Sequence, residues 1–210
     1  NEIFQEFGKI VNHDPWQFSC LFEVEDNINI NNDEDRKRLM VKAEQVMKRV
    51  EAKYQEHQIK EKPYLVIKSD SGTYGMGVLA IENPEDILTL NRRNRNNLYK
   101  GKNAQIIDRF LIQEGVPTIH TVDELVSEVC IYQIENNLVG GFYRMNSEKS
   151  SRENLNSQGM SFKKMCPHLK KYGDCGTHHD VTLFDVYRIL ARIAGIAAHR
   201  EVVSLEANKK

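Results

Sequence analysis

Apolar residues recur at helical spacing from Leu39 through Ala43, Val46 and Val50 to Tyr54, with Lys37, Lys42, Lys48 and Lys53 set among them. This period predicts one long amphipathic helix. Asp33, Glu34 and Asp35 open it, where the helix dipole favours acids, and it ends before Pro63. Two apolar runs, Tyr64 to Lys68 and Val78 to Ile81, predict strands. The nine residues between them, Ser69 to Gly77, include three glycines, so the pair reads as a hairpin with an enlarged tip. Asn83, Pro84, Glu85 and Asp86 form a helix start. The helix expected there carries Ile87, Leu88 and Leu90 and frays into the polar run Asn91 to Asn97.

Further along, Phe110 to Val116 reads as a buried strand that leaves the core at Glu114. Glu128 to Ile134 and Leu138 to Met145 read as two more strands around a turn at Glu135, Asn136 and Asn137. Residues 146–180 are polar and loop-like. A closing helix is expected from about Val181, carrying Phe184, Ile189, Ile193 and Ile196. The first 31 residues fit neither period. Their Phe4, Phe7, Trp16, Phe18 and Phe22 call for burial against this chain or against a part preceding it. The organisation expected is a remnant of a preceding region (1–31), a subdomain with the long helix, hairpin and following helix (32–101), a larger sheet subdomain with the closing helix (102–200), and a solvated end (201–210). Helices on sheets in mixed order indicate an α+β or α/β fold.

Composition narrows the function classes. Twenty-nine Lys and Arg against thirty Asp and Glu leave a net charge of -1, without the basic excess that a sequence-blind nucleic-acid or anionic-membrane binder needs. No apolar run approaches the roughly 20 residues of a membrane span, and no signal peptide is visible. Four cysteines in 210 residues are few for a disulfide scaffold, so a reducing cytoplasm is the expected setting. The start at Asn1, straight into a Phe-rich stretch, leads us to expect a piece of a longer protein.

Four stretches could carry chemistry. In the first, Lys68 ends an apolar strand and faces a Gly-rich turn. Glycines let backbone N–H groups approach phosphate oxygens, and the ammonium adds charge. The spacing of Gly72, Gly75 and Gly77 fits neither a Walker loop nor a dinucleotide-binding fingerprint, and a plain flexible hairpin tip is the alternative. In the second, Gln113, Glu114, Gly115 and Val116 could offer backbone groups to an adenine edge and a carboxylate to ribose; the alternative is a charged strand rim. In the third, Arg144 ends a buried strand and could neutralise a phosphoryl group; the alternative is a pair with Glu128. In the fourth, Glu153, Asn154 and Asn156 offer oxygens suited to Mg²⁺, or to turns and caps.

Taken together and in order, Lys68 with Gly72, Thr73, Tyr74, Gly75, Met76 and Gly77, then Gln113 to Val116, then Gly140 to Arg144, then Glu153 to Asn156 with Gly159 to Phe162, resemble the C-terminal half of the proteobacterial glutamate–cysteine ligase family, over about Trp16 to Ala198. The resemblance implies an α+β, ATP-grasp type fold with the nucleotide between sheet layers. It implies ATP-dependent joining of the glutamate γ-carboxylate to the cysteine amine through an acyl phosphate, the first step of glutathione synthesis. By position, Lys68 would hold ATP phosphates under a mobile cover of Gly72 to Gly77, and Gln113, Glu114, Gly115 and Val116 would form the adenine and ribose hinge. Arg144 would stabilise the transferring phosphoryl group, and Glu153, Asn154 and Asn156 would contact Mg²⁺ and phosphate. Family members are about twice this length, so the partner implied is a missing N-terminal half, beside the small molecules ATP, glutamate and cysteine. Neither nucleic acid nor membrane is expected.

Cys166, His168, Cys175 and His178 form a competing group that could bind Zn²⁺, although they lack the paired cysteines of a finger. His13, His57, His120 and His199 show no partners in the sequence and read as ordinary. The alternatives are therefore a glutathione synthetase or another ATP-grasp ligase and, from another class, a non-catalytic nucleotide- or zinc-binding interaction module.

Overall fold

The computed structural model describes residues 2–70, 77–99, 106–135, 137–165 and 181–207. The fold is α+β, with two four-stranded antiparallel sheets and packed helices. The chain divides into two compact units. One comprises Cys20–Ile119 with Glu148–Gly159; the other comprises Asn1–Ser19, His120–Ser147 and Met160–Lys210. Segments therefore group across the linear order: residues 1–19 join the later sheet, and 148–159 join the earlier one.

In the Cys20–Ile119 unit, strands β1 (Phe22–Glu25), β2 (Leu65–Ser69), β3 (Val78–Ile81) and β4 (Phe110–Glu114) lie in the order β1-β4-β2-β3. Helix α2 (Asp33–Glu56) packs on one face. It begins where the Asn32 side chain accepts from the N–H groups of Glu34 and Asp35, with three acids in the first turn, so orphan donors and dipole are satisfied together. Its Leu39, Ala43, Val46 and Val50 are fully buried against Leu65, Ile67, Phe110 and Ile112. Each large side chain buried there contributes about 1.5–3 kcal/mol.

Alternation along a strand fixes what the other face presents. Leu65, Ile67 and Ser69 of β2, and Phe110, Ile112 and Glu114 of β4, are buried, whereas Val66, Lys68, Leu111 and Gln113 are only half-buried. Lys68 lies opposite Leu111 and Val78, and Val66 opposite Gln113. The second face is thus a partly open apolar surface with one lysine in it.

In the other unit, β5 (His120–Val122), β6 (Leu125–Ile134), β7 (Asn137–Asn146) and β8 (Met160–Lys164) follow in the order β5-β6-β7-β8. Val122, Tyr143, Met145 and Met165 form a small core with Leu125, Val129 and Ile131. Helix α4 (Val181–Ala207) lies against β6, and α1 (Glu2–Val11) lies against α4, where Arg200 pairs with Glu6 at 3.1 Å. The opposite face carries Tyr132, Phe142 and Phe162, whose rings meet at 5.6 and 5.3 Å.

Residues 1–31 hold α1, a 3₁₀ turn at Pro15–Phe18 and β1, and Phe7 and Phe18 pack on each other at 5.0 Å. Other expectations are corrected. The helix expected from Asn83 stops as a 3₁₀ turn, Pro84–Ile87, closed by the Asp86 carboxylate accepting from Asn83 N–H at 3.0 Å. The polar run after it does not fray. Asn91 accepts from Asn94 N–H at 2.9 Å and starts α3 (Arg92–Tyr99), which is anchored by buried Leu98. The stretch read as a loop contains β8, and the solvated end is helical to Ala207.

Candidate functional site

Lys68 is the centre of the half-open face. Its Nζ donates to the Gln113 side-chain carbonyl at 2.8 Å. That partner is neutral, so it cancels none of the charge on the ammonium. Burial disfavours the charged form and lowers the Lys68 pKa below the ordinary lysine value, while the nearby Cys20 thiol acts in the opposite direction. Burial and then the Glu114 carboxylate raise the Cys20 pKa, and hydrogen bonding to Gln113 and the Lys68 charge lower it. The Gln113 amide thus sits between thiol and ammonium. Lys68 and Gln113 are 45 residues apart in sequence, and the antiparallel pairing of β2 with β4 brings them onto one face.

The far end of the Gly-rich stretch is pinned. Gly77 has φ +69°, and a Cβ there would come 1.8 Å from Ser69 Oγ, so this position requires glycine. Ser69 N–H donates to the Gly77 carbonyl at 2.8 Å, and Gly77 N–H donates to Asn97 Oδ1 at 3.4 Å. Ser69 and Asn97 thereby hold the end of the loop beside Lys68, a role that the local sequence around either residue does not signal. Gly72, Thr73, Tyr74, Gly75 and Met76 lie outside the described residues.

The Gln113 to Val116 stretch is arranged differently from the expectation. The Glu114 carboxylate faces inward, only 2% exposed, and accepts from Leu21 N–H at 3.1 Å. Buried on the core face of β4, it is turned away from the open face and does not offer its oxygens to a ribose there. Glu114 N–H donates to the Leu21 carbonyl and Gly115 N–H to the Tyr64 carbonyl, both at 2.8 Å. The outward groups of this stretch are therefore the half-buried Gln113 side chain and the exposed residue Val116.

Arg144 belongs to the other sheet. Its Nη1 donates to Glu128 Oε1 at 2.8 Å across β6 and β7, so its charge is balanced. Its Nε is buried and has no acceptor among the described residues. Glu153, Asn154 and Asn156 share one short loop, and the Glu153 carboxylate and Asn154 amide oxygen are engaged locally. Glu153 accepts from Lys149 at 3.0 Å and Ser150 N–H at 2.9 Å, and its pKa is lowered chiefly by the Ser150 backbone. Asn154 Oδ1 accepts from Asn156 N–H at 3.0 Å. This is the donor pattern of a turn, and it does not fit the oxygen cage of Mg²⁺. Cys166, His168, Cys175 and His178 lie outside the described residues. His120 is not ordinary: its Nε2 meets the Tyr187 hydroxyl, its ring lies 6.5 Å from that of Tyr143, and burial lowers its pKa. Among the described residues, no helix is long and apolar enough to cross a membrane.

Comparison with known proteins bears on this arrangement. No curated protein matches the chain. Residues 1–202 match the family described as Glutamate-cysteine ligase. A crystal structure from Methylobacillus flagellatus KT, described as a "Putative gamma-glutamylcysteine synthetase", superposes with a TM-score of 0.82 at 26% identity, over 97% of this chain and 49% of that one. The chain thus spans about half the length of that relative. With 202 of its 210 residues inside the bounds of one family, the chain belongs to the glutamate-cysteine ligase family.

Proposed function

We propose that the chain is the nucleotide-handling part of an ATP-dependent ligase of ATP-grasp type that joins the γ-carboxylate of glutamate to the amine of cysteine. In this reading a γ-carboxylate oxygen attacks the terminal phosphorus of ATP and ADP leaves. The cysteine amine then attacks the acyl carbon, phosphate leaves with its bonding electrons, and the amine proton passes to solvent. The observation that carries the reading is Lys68: a desolvated ammonium on a half-open apolar face whose hydrogen-bond partner, Gln113, is uncharged. A buried charge without a counter-charge is costly, and polyphosphate would supply one. Family membership supports the choice of reaction, and the match to half of a longer relative supports reading the chain as one part of the enzyme.

Lys68 would bind the phosphates, and Ser69 and Asn97 would hold the end of the Gly-rich stretch beside it. Val116 would meet the base through its backbone. Arg144 would act on the transferring phosphoryl group by sharing the guanidinium that it now offers to Glu128. Magnesium would arrive with ATP, and no step is assigned to it through Glu153, Asn154 or Asn156. The test is turnover by the longer protein: phosphate release that requires ATP, glutamate and cysteine together, abolished or strongly reduced in Lys68→Ala. Release that is indifferent to cysteine, or unchanged in Lys68→Ala, would remove the reading.

A further inference from the structure

Residues 148–159 belong to the Cys20–Ile119 unit, and Arg152 fastens them to it. Its guanidinium lies 4.8 Å from the centre of the Tyr64 ring, its Nη2 donates to the Lys62 carbonyl, and its Nη1 lies 3.6 Å from Glu82. Next to it, Thr118 N–H donates to the Ser151 carbonyl at 3.1 Å. One side chain thereby fixes the backbone at Lys62 and the ring two residues on, across Pro63, whose φ is preset. Tyr64 is 3% exposed, and burial raises its pKa to about 12, with Arg152 acting against that rise. Its hydroxyl stays neutral, and the ring acts through its faces.

On Tyr64 sits Gly115. Its N–H donates to the Tyr64 carbonyl at 2.8 Å, and a Cβ on Gly115 would come 2.2–2.4 Å from three Tyr64 ring atoms. Ring and carbonyl of one residue therefore set the height and direction of the chain at Gly115, immediately before exposed Val116. Pro117 follows and has no N–H to offer, and the Thr118 N–H is taken by the Ser151 carbonyl, so Val116 carries the one backbone donor between Gly115 and Thr118. The order of dependence is Arg152, then Tyr64, then Gly115, then the Val116 backbone.

We infer that Arg152 and Tyr64 are positioning residues that place the Val116 backbone for the edge of a purine, and so set which purine nucleotide the site prefers. The inference rests on the reading of this unit as a nucleotide site. A misplaced N–H donor would weaken ATP, whose adenine N1 accepts a hydrogen bond, more than GTP, whose guanine N1 carries a hydrogen.

The experiment measures dissociation constants for ATP and GTP by calorimetry on wild type, Arg152→Met, Arg152→Lys, Tyr64→Leu and Tyr64→Phe, with thermal melts alongside. Arg152→Met and Tyr64→Leu are expected to weaken ATP severalfold and shrink the ATP:GTP preference. Arg152→Lys is expected to recover part of both, and Tyr64→Phe to match wild type within about twofold, because the ring, not the hydroxyl, carries the contact. A lower melting temperature with an unchanged ATP:GTP ratio would overturn the inference and leave Arg152 as a fastening. If Arg152→Met does not fold, the Tyr64→Leu ratio decides alone. Wild type that binds neither nucleotide overturns the reading beneath it, a result visible before any variant is made.

Discussion

Lys68 and Arg144 occupy comparable places on two different sheets and are held in opposite ways. Each sheet has four antiparallel strands with helix on one face, and each carries one of these cations on the other face among apolar side chains. Lys68 bonds to the amide of Gln113, which cancels no charge. Arg144 bonds to the carboxylate of Glu128, which does. The partner, more than the cation, decides what the face can do. A desolvated ammonium with a neutral neighbour gains most from an arriving anion, whereas an arginine already in an ion pair must share or exchange its partner before it can act.

The sheets differ also in what stands behind that face, and the largest expected effect tests this. Phe110 is fully buried in the core of the first sheet, while Phe142 lies on the aromatic face of the second. Phe110→Ala should cost about 3–5 kcal/mol in denaturant unfolding, and Phe142→Ala about 1 kcal/mol. Equal losses would show that the aromatic face is as deeply packed as the core. A smaller contrast comes from two glycines. Gly115→Ala must push a methyl into the Tyr64 ring, an overpacking of about 1–3 kcal/mol. A Cβ on Gly140, in β7, meets nothing within 4 Å, so Gly140→Ala should stay within about 0.5 kcal/mol. Thermal melts of the pair check both values.

Arg144 should matter little to folding. The pair is partly exposed, with side chains 23% and 39% accessible, so Arg144→Ala should change stability by about 0–1 kcal/mol. In the ligase it should lower kcat more than it raises the KM for ATP, since a preorganised cation acts where charge develops. Steady-state kinetics on that variant, with normal kcat, would leave Arg144 as scaffold. The smallest effect near neutral pH concerns Lys68 itself. Because its pKa is lowered, ATP affinity should hold while the amine is protonated and fall as pH rises through that lowered value, earlier than for an ordinary lysine. Lys68→Arg, whose charge does not titrate in this range, should flatten the profile. A wild-type profile already flat through the alkaline range would contradict the lowered value.

Much of this was legible in the chain. The single 3.6 period and the first-turn acids mark α2, whose end at Glu56 falls several residues before Pro63, and the apolar runs mark β2, β3 and β4. Alternation also speaks for Glu114, which shares its parity with Phe110 and Ile112 and so lies on the core face. Other elements were hidden for physical reasons. β8 is short, with only Met160 and Phe162 alternating with polar residues inside a long polar stretch, and α3 has Leu98 as its sole buried anchor. The contact between Lys68 and Gln113, the nesting of 148–159 against Tyr64, and the partner of His120 all depend on which strands pair or pack, which spacing along the chain does not encode.

The central claim is that the uncancelled charge of Lys68 holds the nucleotide while the balanced charge of Arg144 does not. Calorimetric titration of ATP with magnesium into wild type, Lys68→Met and Arg144→Met tests it most directly. The account predicts that Lys68→Met loses at least about tenfold in affinity, the size of one charge-assisted contact of ~1.5–3 kcal/mol. It predicts that Arg144→Met stays within about twofold of wild type, the limit set by a pair worth ~0–1 kcal/mol. Equal affinities in all three proteins, or the larger loss in Arg144→Met, would contradict it.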